Sequence, residues 1–249
     1  MALVELHQLS LDRRLKSVSL SLHDGEMLGL IGPNGSGKTS MLHCLAGIEP
    51  YQGSVQFLGQ SLQCFDDVER ARGIGLLPQG CQSAWSLSVR DIISLGRLAW
   101  RDENPQKISD AAKATGVDRW LDQPIDKLSG GEQLRVWLAR VLAGEPRVLL
   151  ADEPLASLDL YFQSSMLSLL RHYAQPASQT LASRSVVVSL HDLSMAARFC
   201  DRLCLLNQGE VFALGTPAEV LTKQNLMAVY QVNTRIDLLA NPPIISVLD

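Results

Sequence analysis

Eight consecutive residues, Gly32-Pro33-Asn34-Gly35-Ser36-Gly37-Lys38-Thr39, constrain this chain more than any other stretch. They fit the spacing Gly-x-x-x-x-Gly-Lys-Ser/Thr of a phosphate-binding loop. The flanks fit as well. Met27 to Ile31 is an apolar run suited to a buried strand, and Ser40 onward reads as a helix with Met41, Leu42 and Leu45 on one face. Glycines at 32, 35 and 37 let the backbone turn tightly and aim several N–H groups at one point, and the following helix start adds partial positive charge. Lys38 supplies a full charge for the outer phosphates, and the Thr39 hydroxyl is placed to ligate Mg²⁺. A nucleotide triphosphate is the implied ligand, contacted by residues 32 to 40.

The rest of the chain reads as an α/β protein built around that loop. Residues 3–9, 17–22 and 53–59 alternate as exposed strands, which predicts an antiparallel β layer beside the nucleotide core. Residues 73–78 form a further core strand. From about 84 to 143 the pattern turns helical: Ser88-x-x-Asp91 is a capping-box signature, residues 106–115 carry a weaker helical pattern, and Ser129-Gly130-Gly131-Glu132 opens a third helix. This stretch interrupts the strand–helix alternation and is expected to be an inserted helical subdomain, with 1–83 and 144–249 forming the core. Beyond it, Val148 to Ala151 is a buried strand, and 159–174 is a helix with Leu160, Met166, Leu167, Leu169 and Leu170 inward. Gln175 to Arg184 reads as a surface loop. Ser185 to Leu190 is a buried strand, 202–206 and 210–214 flank a hairpin, and Pro217 to Tyr230 reads as one final helix.

Composition limits the partners. A net charge of -4 and the lack of any Lys/Arg run give no sign of a nucleic-acid surface. No apolar run approaches the ~20 residues needed to span a bilayer, so a membrane role is expected to act through a partner. Five cysteines without Cys-x-x-Cys spacing read as buried, reduced thiols.

Ligands of open α/β sheets bind beyond the carboxyl ends of the strands. Four polar groups fall at such ends: the phosphate loop, Gln79, Asp152-Glu153 and His191. An acidic pair after an apolar strand suits Mg²⁺-assisted phosphoryl transfer. Asp152 is assigned to the metal with Thr39, and Glu153 to the general base. His191 is assigned to the γ-phosphate, and Gln79 to water or Mg²⁺.

In order, GPNGSGKT, Leu77-Pro78-Gln79, Leu128-Ser129-Gly130-Gly131-Glu132, VLLADEP at 148–154, Ser157-Leu158-Asp159 and His191-Asp192 resemble the ATPase subunit of ABC transporters over nearly the whole chain. The resemblance implies that fold: a P-loop NTPase core with an N-terminal antiparallel β layer and an inserted helical subdomain. It also implies ATP and Mg²⁺ as cofactors and a head-to-tail homodimer. In that dimer Ser129, Gly130, Gly131 and Glu132 of one copy face the γ-phosphate on the other, and the Asp159 segment lies across the seam. The implied machine is a bacterial importer. Integral-membrane permease subunits dock near Gly80 to Leu87 and the helical segment, and a substrate-binding protein acts indirectly, at the cytoplasmic face of the inner membrane. Trp85 is then either a docking residue or a buried anchor. The stretches 88–98, 191–202 and 216–230 resemble importers of iron–siderophore complexes, haem and cobalamin. The competing classes are an exporter subunit, a soluble non-transport ABC protein and a small-molecule kinase. The last has no use for Leu128 to Glu132. One departure stands out: Leu9 to Lys16 holds no aromatic residue to stack on adenine, leaving Leu11, Arg13 or Arg14.

Overall fold

The computed structural model describes residues 2–155, 158–175 and 184–248. Strand β1 (Ala2–Leu11) pairs antiparallel with β2 (Leu15–His23). Both run past the predicted ends, β1 to Leu11 and β2 back to Leu15, because those two leucines are buried there. Next, β3 (Met27–Ile31) is buried at every position and feeds the phosphate loop. Helix α1 (Lys38–Leu45) begins two residues earlier than expected, directly after a left-handed Gly37. Then β4 (Gln52–Phe57) and the two-residue β5 (Gln60–Ser61) complete a four-stranded antiparallel sheet of order β2-β1-β4-β5.

Helix α2 (Asp67–Gly73) was not anticipated. Its seven residues lack an apolar stripe, and it is held by a reciprocal capping box between Asp66 and Glu69. Gly73 therefore ends a helix, and the core strand β6 is only Ile74–Leu77. The helical stretch follows as α3 (Val89–Ser94), α4 (Pro105–Ala114) and α5 (Gly130–Ala143). Ser88 and Ser129 each form the capping box expected of them, with Asp91 and Glu132.

The remaining elements are β7 (Val148–Ala151), α6 (Leu160–Ala174), β8 (Ser185–Ser189), α7 (Leu193–Phe199), β9 (Arg202–Asn207), β10 (Glu210–Gly215), α8 (Pro217–Val220), α9 (Lys223–Tyr230), β11 (Asn233–Asp237) and β12 (Ile244–Leu248). A six-stranded sheet of order β10-β9-β3-β8-β7-β6 forms the centre, parallel throughout except for the β9–β10 hairpin. Parallel strands need cover on both faces, which explains their unbroken apolar runs. Met27 and Ile31 of β3 pack into one apolar cluster with Leu149, Val186 and the helical residues Ile92, Val136 and Leu138. Leu28 and Leu30 point the other way, into a second cluster with Leu6, Leu20, Met41 and Leu42. The helical stretch and the sheet thus share one core.

Several expectations need correction. Pro217 to Tyr230 is two helices, because Thr222 caps α9 by accepting from the Asn225 N–H and so ends α8 before it. Leu160 is 78% exposed, since it is the first residue of α6 and projects past the core. Neither α7 nor the terminal β11–β12 hairpin was foreseen. All five cysteines are free, but Cys64 is exposed and Cys81 only half-buried. Most of the 175–184 loop, and Ser157, lie outside the described residues. No helix among the described residues is long and apolar enough to cross a membrane.

The 3-10 turn after α3 (Leu95–Trp100) meets α5 in the tightest backbone approach of the helical stretch. A Cβ on Gly96 would lie 1.9 Å from the Arg140 carbonyl oxygen, a contact that no side-chain rearrangement relieves. Gly96→Ala is expected to lower stability by about 1–3 kcal/mol and the melting temperature by several degrees. An unchanged melting temperature in a calorimetric scan would count against this packing.

Candidate nucleotide site

The strand order brings the four polar strand ends into one row. β3, β8, β7 and β6 are consecutive and parallel, so the phosphate loop, His191, Asp152-Glu153 and Gln79 all emerge at the same edge. A cleft of about 430 Å³ opens there. Asn34 to Ser40, Gln79, Glu153 and His191 line it, together with Arg13 and Arg14 from the β1–β2 turn. Gly32 and Pro33 lie behind the lining, where their carbonyls accept from Lys38 Nζ at 2.9 and 3.1 Å. Lys38 is buried, and burial pushes its ammonium below the ordinary lysine range, while the Glu153 and Asp152 carboxylates favour the charged form.

Glu153 is the hub of the row. Gln79 Nε2 donates to one carboxylate oxygen at 2.7 Å, and His191 Nε2 lies 2.6 Å from the other. Its backbone adopts a left-handed φ of 47°, a conformation that costs a non-glycine residue of order 1 kcal/mol and that concentrates at functional sites. The Glu153 N–H is held by the Ser189 hydroxyl at 2.7 Å, and that hydroxyl donates in turn to Asp152 Oδ1 at 2.7 Å. Ser189 is fully buried at the end of β8. Sequence reasoning missed it. The only available signal was a serine ending an otherwise apolar run, immediately before Leu190 and His191.

Asp152 is 1% exposed, and its second oxygen, Oδ2, has no hydrogen-bond partner. A buried carboxylate oxygen left in that state invites a cation. The Thr39 hydroxyl and the Gln79 side-chain carbonyl, which belong to residues lining the cleft, are hard oxygen donors of the kind Mg²⁺ uses when substrate phosphates and water complete its shell. No group of three or more His, Cys, Asp or Glu among the described residues forms a metal cage. The residues present fit a shared, substrate-completed Mg²⁺.

The structure does not bring Ser129, Gly130, Gly131 and Glu132 into this cleft. Ser129 and Gly130 are exposed at the start of the 14-residue α5, and a Cβ on Gly130 would meet nothing within 4 Å. Glu132 accepts from both the backbone and the hydroxyl of Ser129 at 2.8 Å, hydrogen bonds that hold its carboxyl below the usual range. Of the candidates for the base, Leu11 is turned into the core, whereas Arg13 and Arg14 face the cleft. Trp85 is 76% exposed, so it is no buried anchor.

A row of this kind, with a glycine-rich loop and buried lysine, a clamped carboxylate and an unpartnered buried aspartate oxygen, suits phosphoryl transfer to water. Known proteins carry the same architecture. A profile described as ABC transporter matches residues 15–156. The hemin import ATP-binding protein HmuV of Bordetella avium is 38% identical over 255 residues, spanning 96% of this chain and 95% of that one. The ferric enterobactin transport ATP-binding protein FepC of Escherichia coli is 33% identical over 240 residues, covering 92% and 87%. Among solved structures, an inward-facing ABC transporter assigned to the metal-chelate type superposes with a TM-score of 0.83 at 25% identity, over 100% of this chain and 98% of that one. An ATP-binding cassette captured as a dimer after hydrolysis, with ADP and Pi, gives 0.73 at 26% identity over 86% and 98%. The chain belongs to the ABC transporter family, as one of its ATP-binding, ATP-hydrolysing subunits.

Proposed function

We infer that this subunit energises a bacterial importer of iron chelates, haem or ferric siderophores, from the cytoplasmic face of the inner membrane. The single observation carrying the ATPase part is the convergence of Lys38, Gln79, Glu153 and His191 on one cleft, with the unpartnered oxygen of Asp152 next to Glu153 in the chain. The cargo class rests on relatives: HmuV is named for hemin and FepC for ferric enterobactin. Those names favour iron chelates over cobalamin.

In this reading Lys38 and the loop N–H groups orient the triphosphate, and Thr39, Gln79 and Asp152 hold Mg²⁺, which when bound neutralises charge on the phosphates. Glu153 accepts the proton of the attacking water. Its two oxygens are oriented by Gln79 and His191, and each retains a further lone pair for that water. His191 also reaches the γ-phosphate. The core of residues 1–83 and 144–249 carries this chemistry, and residues 84–143 carry α5.

Two copies work head to tail. The exposed α5 end, with free N–H groups and a positive helix terminus, is a ready anion site that its own cleft does not use. A neighbour's γ-phosphate is the ligand it suits, and the dimeric cassette with ADP and Pi supports the pairing of two copies. Permease subunits bind at Gly80 to Leu87, where Trp85 stands exposed, and a substrate-binding protein delivers cargo to them.

Ser129→Arg tests the arrangement. Turnover is expected to fall by at least about tenfold while nucleotide affinity of the monomer stays within about twofold, since blocking a second-copy contact spares the cis site. Loss of monomer binding would contradict the trans role. For the cargo, the ATPase reconstituted with its permease should be stimulated by binding protein loaded with haem or a ferric siderophore. Stimulation by cobalamin alone would overturn the iron assignment.

A further inference from the structure

The nucleotide cleft has a catalytic end and a far end, and the second is built unusually. Gln79, Glu153 and His191 mark where the terminal phosphate lies, because Lys38 Nζ and the strand ends converge there. The base must lie in the opposite direction, past the start of α1, where Arg13 and Arg14 are the lining residues among those described. No Phe, Tyr or Trp lines the cleft among the described residues.

The turn bearing these arginines is fixed to the phosphate loop through backbone. The Lys16 N–H donates to the Gly209 carbonyl at 2.8 Å, and the Gly209 N–H donates to the Ser36 carbonyl at 3.1 Å. Gly37, left-handed at φ 106°, presses so close that a Cβ on it would sit 2.8 Å from the Arg14 carbonyl oxygen. The turn is therefore part of the site's rigid frame.

The two arginines are not equivalent. Arg14 donates both terminal nitrogens to the Glu49 carboxylate, at 3.0 and 2.7 Å. Its fork is occupied, and so is the Glu49 carboxylate; Asp12, the other carboxylate of the turn, is not among the residues lining the cleft. Arg13 is exposed, and its side chain makes no hydrogen bond or ion pair with any described residue.

We propose that the Arg13 guanidinium is the stacking platform for the nucleotide base, with Arg14–Glu49 holding the turn, and that this subunit is consequently tolerant of the base, accepting ATP and GTP alike. The inference rests on the nucleotide reading above. A planar cation sits flat on the π-face of any purine and is indifferent to its edge groups. With the Glu49 carboxylate engaged and Asp12 outside the lining, no carboxylate lines that end of the cleft to separate an amino group from a carbonyl.

Equilibrium binding to the full chain decides it, using calorimetry in Mg²⁺ buffer with imido-linked ATP and GTP analogues and with inorganic tripolyphosphate. Arg13→Asn is the informative variant, because asparagine tolerates the left-handed φ of 55° that Arg13 adopts. Arg13→Gly, equally at ease there, controls for the asparagine itself. Wild type should bind the two analogues within about threefold of one another, and both variants should weaken both analogues by roughly fivefold while leaving tripolyphosphate unchanged. If tripolyphosphate weakens as much as the nucleotides, Arg13 is a phosphate charge and the stacking role is wrong. A wild-type preference above about tenfold overturns base tolerance, and unchanged nucleotide affinity in both variants overturns the assignment outright. Lys38→Ala separates the two levels. It strikes tripolyphosphate and nucleotide together, so its failure refutes the phosphate site, whereas failure of the Arg13 variants beside a binding-dead Lys38→Ala refutes this inference alone.

Discussion

Lys38→Ala is expected to weaken ATP binding by at least about a hundredfold and to leave no measurable hydrolysis, as removal of one partner from a desolvated charge contact does. The size follows from where the ammonium sits. Lys38 is 5% exposed, its Nζ is held by the Gly32 and Pro33 carbonyls, and burial works against its charge while Glu153 and Asp152 support it. A triphosphate adds anionic oxygens to the same point, so the charge is worth most when ATP is present. Removing it leaves two loop carbonyls without their donor and the phosphates without their countercharge. Lys38→Met, which keeps the stem and loses only the ammonium, should match alanine in binding while melting nearer to wild type. Near-normal turnover in either variant would sink the phosphate assignment.

The central sheet was legible because burial on both faces leaves a plain trace. Met27 to Ile31, Val148 to Ala151 and Val186 to Val188 are runs without a polar side chain, and the three strands that hold them are fully buried neighbours. Elements stabilised by local polar bonds left fainter marks. Helix α2 has no apolar stripe and depends on the Asp66–Glu69 box, a signal visible at Asp66-x-x-Glu69 but not read. Periodicity ran through Leu221 and Thr222 because both helices turn apolar residues inward, Val220 from α8 and Leu226 and Val229 from α9. The side-chain cap at Thr222 is what divides them. The β11–β12 hairpin is harder still, since four of the five residues of β12 are exposed and its alternation carries little burial.

The site was legible in its parts and not in its wiring. Lys38, Gln79, Asp152-Glu153 and His191 could be picked out because each follows an apolar strand. Their convergence depends on strand order, which places β8 between β3 and β7, and no spacing in the chain encodes that order. Ser189 escaped notice for this reason: a serine acquires its role by lying beside Asp152 and the Glu153 N–H on the adjacent strand. The base end shows the reverse case. Leu11, Arg13 and Arg14 were equal on paper until the turn geometry buried the first and paired the last with Glu49, leaving Arg13.

Glu153→Gln is expected to bind ATP with about the wild-type affinity, to hydrolyse it at least about a thousandfold more slowly, and to accumulate as an ATP-bound dimer. Glutamine keeps the shape, and its carbonyl oxygen can still accept from Gln79 or His191, so the row of strand ends need not rearrange. The amide cannot take a proton from water, so the step assigned to the carboxylate stops while phosphate binding, which uses Lys38 and the loop, continues. The dimer follows from the same separation of roles. If two clefts close on ATP through the exposed α5 ends, and hydrolysis is what reopens them, a chain that binds without hydrolysing remains closed. Light scattering after gel filtration in Mg²⁺-ATP should then give twice the monomer mass, returning to the monomer when nucleotide is omitted. A Glu153→Gln chain that stays monomeric with saturating ATP would remove the support for trans contact by Ser129. One that hydrolyses at the wild-type rate would move the base to another group, with His191, 2.6 Å from the same carboxylate, the first to test by His191→Ala.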